Sequence, residues 1–419
     1  MVHSFVVLLF ELSLVLTAAK LGGLAARTIR LPVVLGELFA GVILGNLTLA
    51  GIGFFEGIQH DPSLATLAEL GVILLMFEVG VESTVPSLMR VGRSAMLVAL
   101  FGVAVPFIVG FGTVRLFFPD FSLWVDIFLG ATLCATSVGI SARVLKDLDR
   151  IQTLEGRTIL GAAVVDDVLG LVILAVVVAL IGSSASTELG GASSITEQVL
   201  VIVTKAFGFL IVGTVLGVLF SKRLYRWAAG LEMRGMLLTL SLTLCFAFAF
   251  LAHQFGLAPI VGAFSAGLIL EPEHSQFFKR ETDSLEHLLI PLSTLFVPIF
   301  FLHMGMQVDL SALFSVRAVV VGLVLSAAAV AGKMACAAGV IQGKAAIDRW
   351  AVALGMVPRG EVGLIFAGLG AGLKVAGVPL LDPTLYAAII VMVFITTAMT
   401  PPLLTKRLQI PVGRTGATQ

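Results

Sequence analysis

The run Met356-Val357-Pro358-Arg359-Gly360-Glu361-Val362-Gly363 sits in the middle of an otherwise apolar stretch from 350 to 372. Proline removes a backbone donor and glycine weakens a helix, so a stretch long enough to cross a bilayer is expected to unwind here. An earlier apolar stretch, 122 to 142, carries its own break in Cys134-Ala135-Thr136-Ser137-Val138-Gly139-Ile140, where small, hydroxylated and glycine residues collect. Each break lies in the second of three consecutive apolar stretches, which begin near 94, 122 and 158 and again near 316, 350 and 382. Two groups of six spans joined by one linking span turn the second group upside down, which is the inverted-repeat plan of secondary transporters. Taken singly, Thr136 and Ser137 can hydrogen-bond their own helix and Pro358 can make a plain kink. Two breaks at matching repeat positions favour unwinding, and irregular backbone at that depth is tolerated only inside protein or beside a water-filled cavity.

Outward from the two breaks, the whole chain reads as an all-α polytopic membrane protein. Of its 419 residues 58% are hydrophobic and only 12% charged, about half the charge of a soluble domain, with a mean hydropathy of +1.08. About thirteen stretches can span, at 4 to 20, 31 to 48, 64 to 82, 94 to 116, 122 to 142, 158 to 183, 198 to 220, 235 to 254, 257 to 271, 285 to 307, 316 to 341, 350 to 372 and 382 to 405. Basic residues fix the orientation, because Lys and Arg stay in cytoplasmic loops. Lys20, Arg27, Arg30, Arg90, Arg93, Arg143, Lys146, Arg150, Arg157, Lys222, Arg223, Arg226, Arg234, Lys279, Arg280, Lys344, Arg349, Lys406, Arg407 and Arg414 fall on one side; Arg115, Arg317 and Lys374 fall on the other. The amino terminus is therefore expected outside and the tail inside, as a multi-pass protein of the inner (plasma) membrane with a retained first span. With 26 Lys+Arg against 26 Asp+Glu, net charge points to no nucleic-acid partner. No gap between spans has room for a soluble catalytic or regulatory domain. Cys134, Cys245 and Cys336 lie singly in apolar stretches, without the spacing of a disulfide framework or a zinc site.

Asp166 and Asp167 are adjacent in the apolar run from Ile159 to Leu171. A buried carboxylate normally protonates or acquires a cation, and consecutive residues point about 100° apart on a helix, so one can face a cavity and the other a neighbouring span. Lys333 is the expected partner. It stands about 9 residues inside the cytoplasmic end of its span and Asp166 about 8 inside its own, which sets them at similar depth. Arg359 and Glu361 flank Gly360 and are expected to satisfy each other or the freed helix ends. Glu37, Glu69, Glu78, Asp126, Lys205, His253 and His303 read as interhelical contacts or boundary residues rather than as a site.

The runs Ala135 to Leu145, Gly161 to Gly170 with its paired aspartates, Gly256 to Phe264, Pro298-Ile299-Phe300-Phe301 and Pro358 to Leu364 resemble, in order and spacing, the monovalent cation:proton antiporter-2 family, especially its bacterial sodium/proton antiporters. The resemblance implies a thirteen-helix inverted-repeat fold with two crossing broken helices, a homodimer in membrane lipid, and elevator-like motion of a core against a dimerisation side. It assigns residues 1–92 to dimerisation-side helices one to three and 93–184 to core helices four to six, with 185–230 as the linking helix seven. It then assigns 231–309 to dimerisation-side helices eight to ten, 310–405 to core helices eleven to thirteen, and 406–419 to a cytoplasmic tail. It makes Asp167 the cation-binding aspartate, Asp166 the neighbour that pairs with a lysine, and Lys333 that lysine. Thr136, with Ser137 beside it, becomes the unwound position that helps Asp167 ligate Na+.

The function so implied is electrogenic exchange of Na+ or Li+ for H+ in pH homeostasis, with no cofactor and no enzymatic activity. Potassium-efflux relatives usually lack the paired aspartates and carry a nucleotide-binding domain, although a K+/H+ antiporter stays open, as does a sodium-coupled symporter of organic anions. An intramembrane aspartyl protease needs aspartates facing each other from different helices, and a passive channel would be obstructed by Lys333.

Overall fold

A computed structural model describes residues 5–29, 31–51, 56–59, 61–83, 85–185, 200–201, 204–205, 208–230, 233, 235–270, 284–308, 310–311, 315–341, 347–375 and 378–409. Arg30, Arg234, Lys279, Arg280, Lys344, Arg414 and most of the tail fall outside these residues, as does the side chain of Glu361. The regular structure of the described residues is helical apart from a two-residue antiparallel pairing of Lys374–Val375 with Val378–Pro379.

The helices are α1 (Phe5–Thr28), α2 (Val33–Gly45), α3 (Pro62–Val81), α4 (Val85–Phe117), α5 (Leu123–Thr132), α6 (Val138–Asp147), α7 (Leu154–Ala185) and α8 (Thr214–Ala229). They continue as α9 (Met236–Gln254), α10 (Pro259–Ile269), α11 (Leu285–Met306), α12 (Val316–Met334), α13 (Arg349–Gly355), α14 (Gly360–Gly372) and α15 (Pro383–Leu408). Among the described residues, seven helices are long and apolar enough to cross a membrane, and four shorter apolar ones accompany them. Local sequence starts several of them. Asp61, Ser122, Ser284, Ser315, Asp348 and Asp382 each accept a backbone N–H of the following first turn, and Pro62, Pro259 and Pro383 occupy first positions where no donor is needed.

Two differences from the sequence reading matter. The apolar stretch 316 to 341 is interrupted: α12 stops at Met334, turns at Ala335 and resumes as one turn, Cys336–Gly339. Lys333 therefore stands in the last turn of a helix, where the carbonyl dipoles favour a cation. The fifth stretch runs on past its apolar part, so that Arg143 and Lys146 belong to α6 rather than to a loop.

Packing sorts the helices into two groups. In the first, α3 packs extensively on α10 and α11, α2 on α1 and α11, and α9 on α10. In the second, α4 packs on α5, α7 and α12, and α15 on α12, α13 and α14. Small residues let backbones meet inside each group: Gly41 and Gly305 seat α2 on α11, and Gly332 rests on Pro106 of α4. The groups touch chiefly through α6 on α3, with smaller contacts of α2 on α6 and α15.

Candidate functional site

Both breaks occur where the sequence places them. α5 ends at Thr132 and α6 begins at Val138; α13 ends at Gly355 and α14 begins at Gly360. The two unwound segments cross and bond to one another. The Ser137 N–H donates to the Pro358 carbonyl (2.8 Å), the Thr136 hydroxyl to the Met356 carbonyl (3.2 Å) and the Ser141 hydroxyl to the Gly355 carbonyl (2.5 Å). Thr136 thereby spends its proton on backbone and keeps oxygen lone pairs as acceptors. Gly360 has φ +39°, in the left-handed region, and a Cβ there would strike the Ser137 hydroxyl. Its N–H donates to the Thr397 hydroxyl of α15 (3.1 Å).

Arg359 is fully buried. Its Nη1 donates to the Ala135 carbonyl, so it satisfies the freed end of the other broken helix, while Nε and Nη2 find no hydrogen-bond partner among the described residues. It lies within electrostatic reach of Asp166. A fixed guanidinium at the crossing offsets the carbonyl ends of α5 and α13, which converge there.

One turn of α4 joins this crossing to the ion pair. The Cys134 thiol, in the first break, donates to the Val103 carbonyl (3.3 Å). The adjacent Gly102 leaves room for the pair, since a Cβ would come within 3.3 Å of Lys333 Nζ and 3.4 Å of Asp166 Oδ1. Lys333 Nζ donates to Asp166 Oδ1 at 2.9 Å, with both side chains sealed from solvent. The second oxygen, Asp166 Oδ2, has no hydrogen-bond partner among the described residues. Asp167, on the next face of α7, is half-buried. Asp166 thus meets Lys333, and Thr136, Ser137 and Arg359 meet at the crossing. An interior ion pair of this kind is costly unless both charges stay engaged.

The remaining polar residues divide cleanly. Asp126 lies 3.5 Å from Arg115, His303 contacts Gln307, and Glu69, Lys205 and His253 are exposed. Glu37 and Glu78 are buried against Arg143 and Lys146 of α6. Those two cations escaped the sequence reading, because charge just beyond an apolar stretch counts as loop charge; Gly102 carried no signal at all among 44 glycines.

Comparison with known proteins gives the family and the fold. The transmembrane sodium/hydrogen exchanger family model matches residues 13–406. The chain is 37% identical to the high-affinity Na+/H+ antiporter NhaS3 of Synechocystis sp., over 94% of this chain and 88% of that protein. It is 32% identical to the Na+/H+-K+ antiporter GerN of Bacillus cereus, over 94% and 95%. Its fold matches the sodium proton antiporter MjNhaP1 of Methanocaldococcus jannaschii with a TM-score of 0.69, at 18% identity and 97% coverage of both chains. A family match that runs nearly end to end, through both broken helices and the buried ion pair, makes this chain a member of the transmembrane sodium/hydrogen exchanger family.

Proposed function

We propose that the protein exchanges Na+ or Li+ for H+ across the membrane, with Asp167 holding either the cation or a proton. Asp166 alternates between protonation and its ion pair with Lys333. A carboxylate cannot hold both ligands, so competition at one site couples the two fluxes. The observation that carries this reading is the solvent-sealed Lys333–Asp166 pair beside two crossed, unwound segments. Thr136, Ser137 and the carbonyls of the crossing supply the oxygen ligands that a hard cation prefers. Arg359 and Glu361 serve as structural charges of the break. The relatives support Na+ as the substrate, since NhaS3 and GerN are both named Na+/H+ antiporters.

Access alternates, in this reading, by elevator motion of a core (93–184 and 310–405) against a dimerisation side (1–92 and 231–309), linked by 185–230. The packing supports such motion: among the described glycines, no approach closer than 3.0 Å joins one helix group to the other. The protein works as a homodimer in the plasma membrane, amino terminus outside and tail in the cytoplasm.

Proteoliposomes preloaded with a pH gradient test the proposal. Na+ and Li+ are expected to collapse the gradient, and no response to either overturns it. A K+ response equal to that with Na+ would favour the second reading, K+/H+ exchange, which the naming of GerN motivates. Accumulation of labelled carboxylate solutes driven by Na+ would mark a symporter instead.

A further inference from the structure

The two helix groups meet mainly on α6, the half-helix that begins at the crossing. The contact has an apolar part near the break, where a Cβ at Gly139 would meet Val72 and Phe300 at ordinary van der Waals distance. Its other part, at the far end of α6, is ionic. Lys146 reaches into the first group to pair with Glu78 of α3 and lies 3.9 Å from Glu82. Glu78 is 2% exposed, and its second oxygen accepts from Ser293 of α11 (2.5 Å). One turn back, Arg143 approaches Glu37 of α2 (4.0 Å) while bracing on Asp147 (3.0 Å). Beside these pairs the groups stand apart: a cleft of about 400 Å³ opens between Arg27 and Pro32 on one side and Asp147, Thr405 and Gln409 on the other.

We propose that α6 carries an ionic latch, Lys146 on Glu78 with Arg143 on Glu37, that holds the two groups in the arrangement seen here and must release in every transport cycle. The geometry gives three reasons. The buried carboxylates Glu37 and Glu78 belong to one group and their cations to the other, so any sliding of the groups separates each from its partner. Among the described glycines, none brings the backbones of the two groups closer than 3.0 Å to hold that boundary otherwise. The cations also ride on the helix whose first residues form the crossing, so release of the latch and displacement of the ion site are one rigid motion. The latch rests on the exchange reading for its role in transport, while the contact itself is independent of that reading.

Cysteines at 78 and 146, introduced as Glu78→Cys and Lys146→Cys after Cys134, Cys245 and Cys336 are replaced by alanine, test it. A short bis-methanethiosulfonate reagent links the pair, and dithiothreitol cleaves the link. Cross-linking is expected to slow Na+- or Li+-driven proton movement at least tenfold, with recovery on reduction and no effect of the reagent on either single-cysteine chain. Undiminished exchange by fully cross-linked protein overturns the proposal. If the wild type itself exchanges nothing, the exchange reading fails rather than the latch. A thermal cycle of Lys146→Met, Glu78→Gln and the double variant then decides the contact. The double variant is expected to lower Tm by less than the sum of the single losses, and strictly additive losses refute the pairing.

Discussion

Asp166 and Lys333 neutralise one another where no water reaches either. Asp166→Asn or Lys333→Ala strands a buried charge, and breaking such a pair from one side costs roughly 3–5 kcal/mol unless the survivor gives up its charge. Each variant is expected to lower Tm clearly in detergent, and unfolding curves that match the wild type would show that the two do not depend on each other. Asp167 is different. It is half-buried on the next face of α7, so Asp167→Asn keeps the shape, removes the titrating charge and leaves Tm close to wild type while abolishing exchange. Substantial Na+-driven proton movement in that variant removes Asp167 from the ion site. The pairing itself was legible in the sequence from depth alone. The role of Gly102 was not, because a glycine in an apolar run looks the same whether it faces lipid or an ammonium group.

At the scale of elements, the crossing depends on one backbone position. Gly360→Ala forces a side chain into the left-handed region and against the Ser137 hydroxyl. The conformational part alone is roughly 1–2 kcal/mol, so a fall in Tm and in exchange rate is expected together, and a silent substitution would mean that the break is not held as described. A second element-level test concerns Glu82, one residue past the end of α3. Burial pushes its carboxyl up to about 7, Lys146 opposes the shift, and Glu78, Glu286 and Asp149 add to it. Because the folded protein holds this proton more tightly than the unfolded chain, the contribution is present at low pH and is lost as pH rises from about 4.5 to about 7. Glu82→Gln is therefore expected to flatten the decline of Tm across that window, and an unchanged profile counts against the shift. The sequence showed both breaks, since proline, glycine and hydroxyl residues act locally. It did not show that α6 continues beyond its apolar part, because an amphipathic end facing another helix reads like a charged loop.

For the whole molecule, the question is charge moved per cycle. If Lys333 loses and regains a proton as Asp166 titrates, each cycle carries one charge more than competition at Asp167 alone. An imposed membrane potential is then expected to shift the steady Na+ gradient that a fixed pH gradient supports in proteoliposomes. Lys333→Gln weakens that response if exchange survives. Wild-type transport indifferent to potential, beside an ionophore control that responds, would show one-for-one exchange and confine Asp166 and Lys333 to holding the second helix group together.

Hydropathy, the two helix breaks and the paired aspartates determined, from sequence alone, a membrane protein of inverted repeats with an ionisable site in its interior. Those features are local or periodic, and a lipid solvent leaves a chain few ways to satisfy its backbone. Which atoms meet was decided only by tertiary structure. Arg359 caps the carbonyl of Ala135, and Lys146 crosses to Glu78. Both contacts join residues far apart in the chain, through partners whose own neighbourhoods carry no mark of the pairing. The packing of whole helices against one another places them there, and no local pattern of residues encodes it.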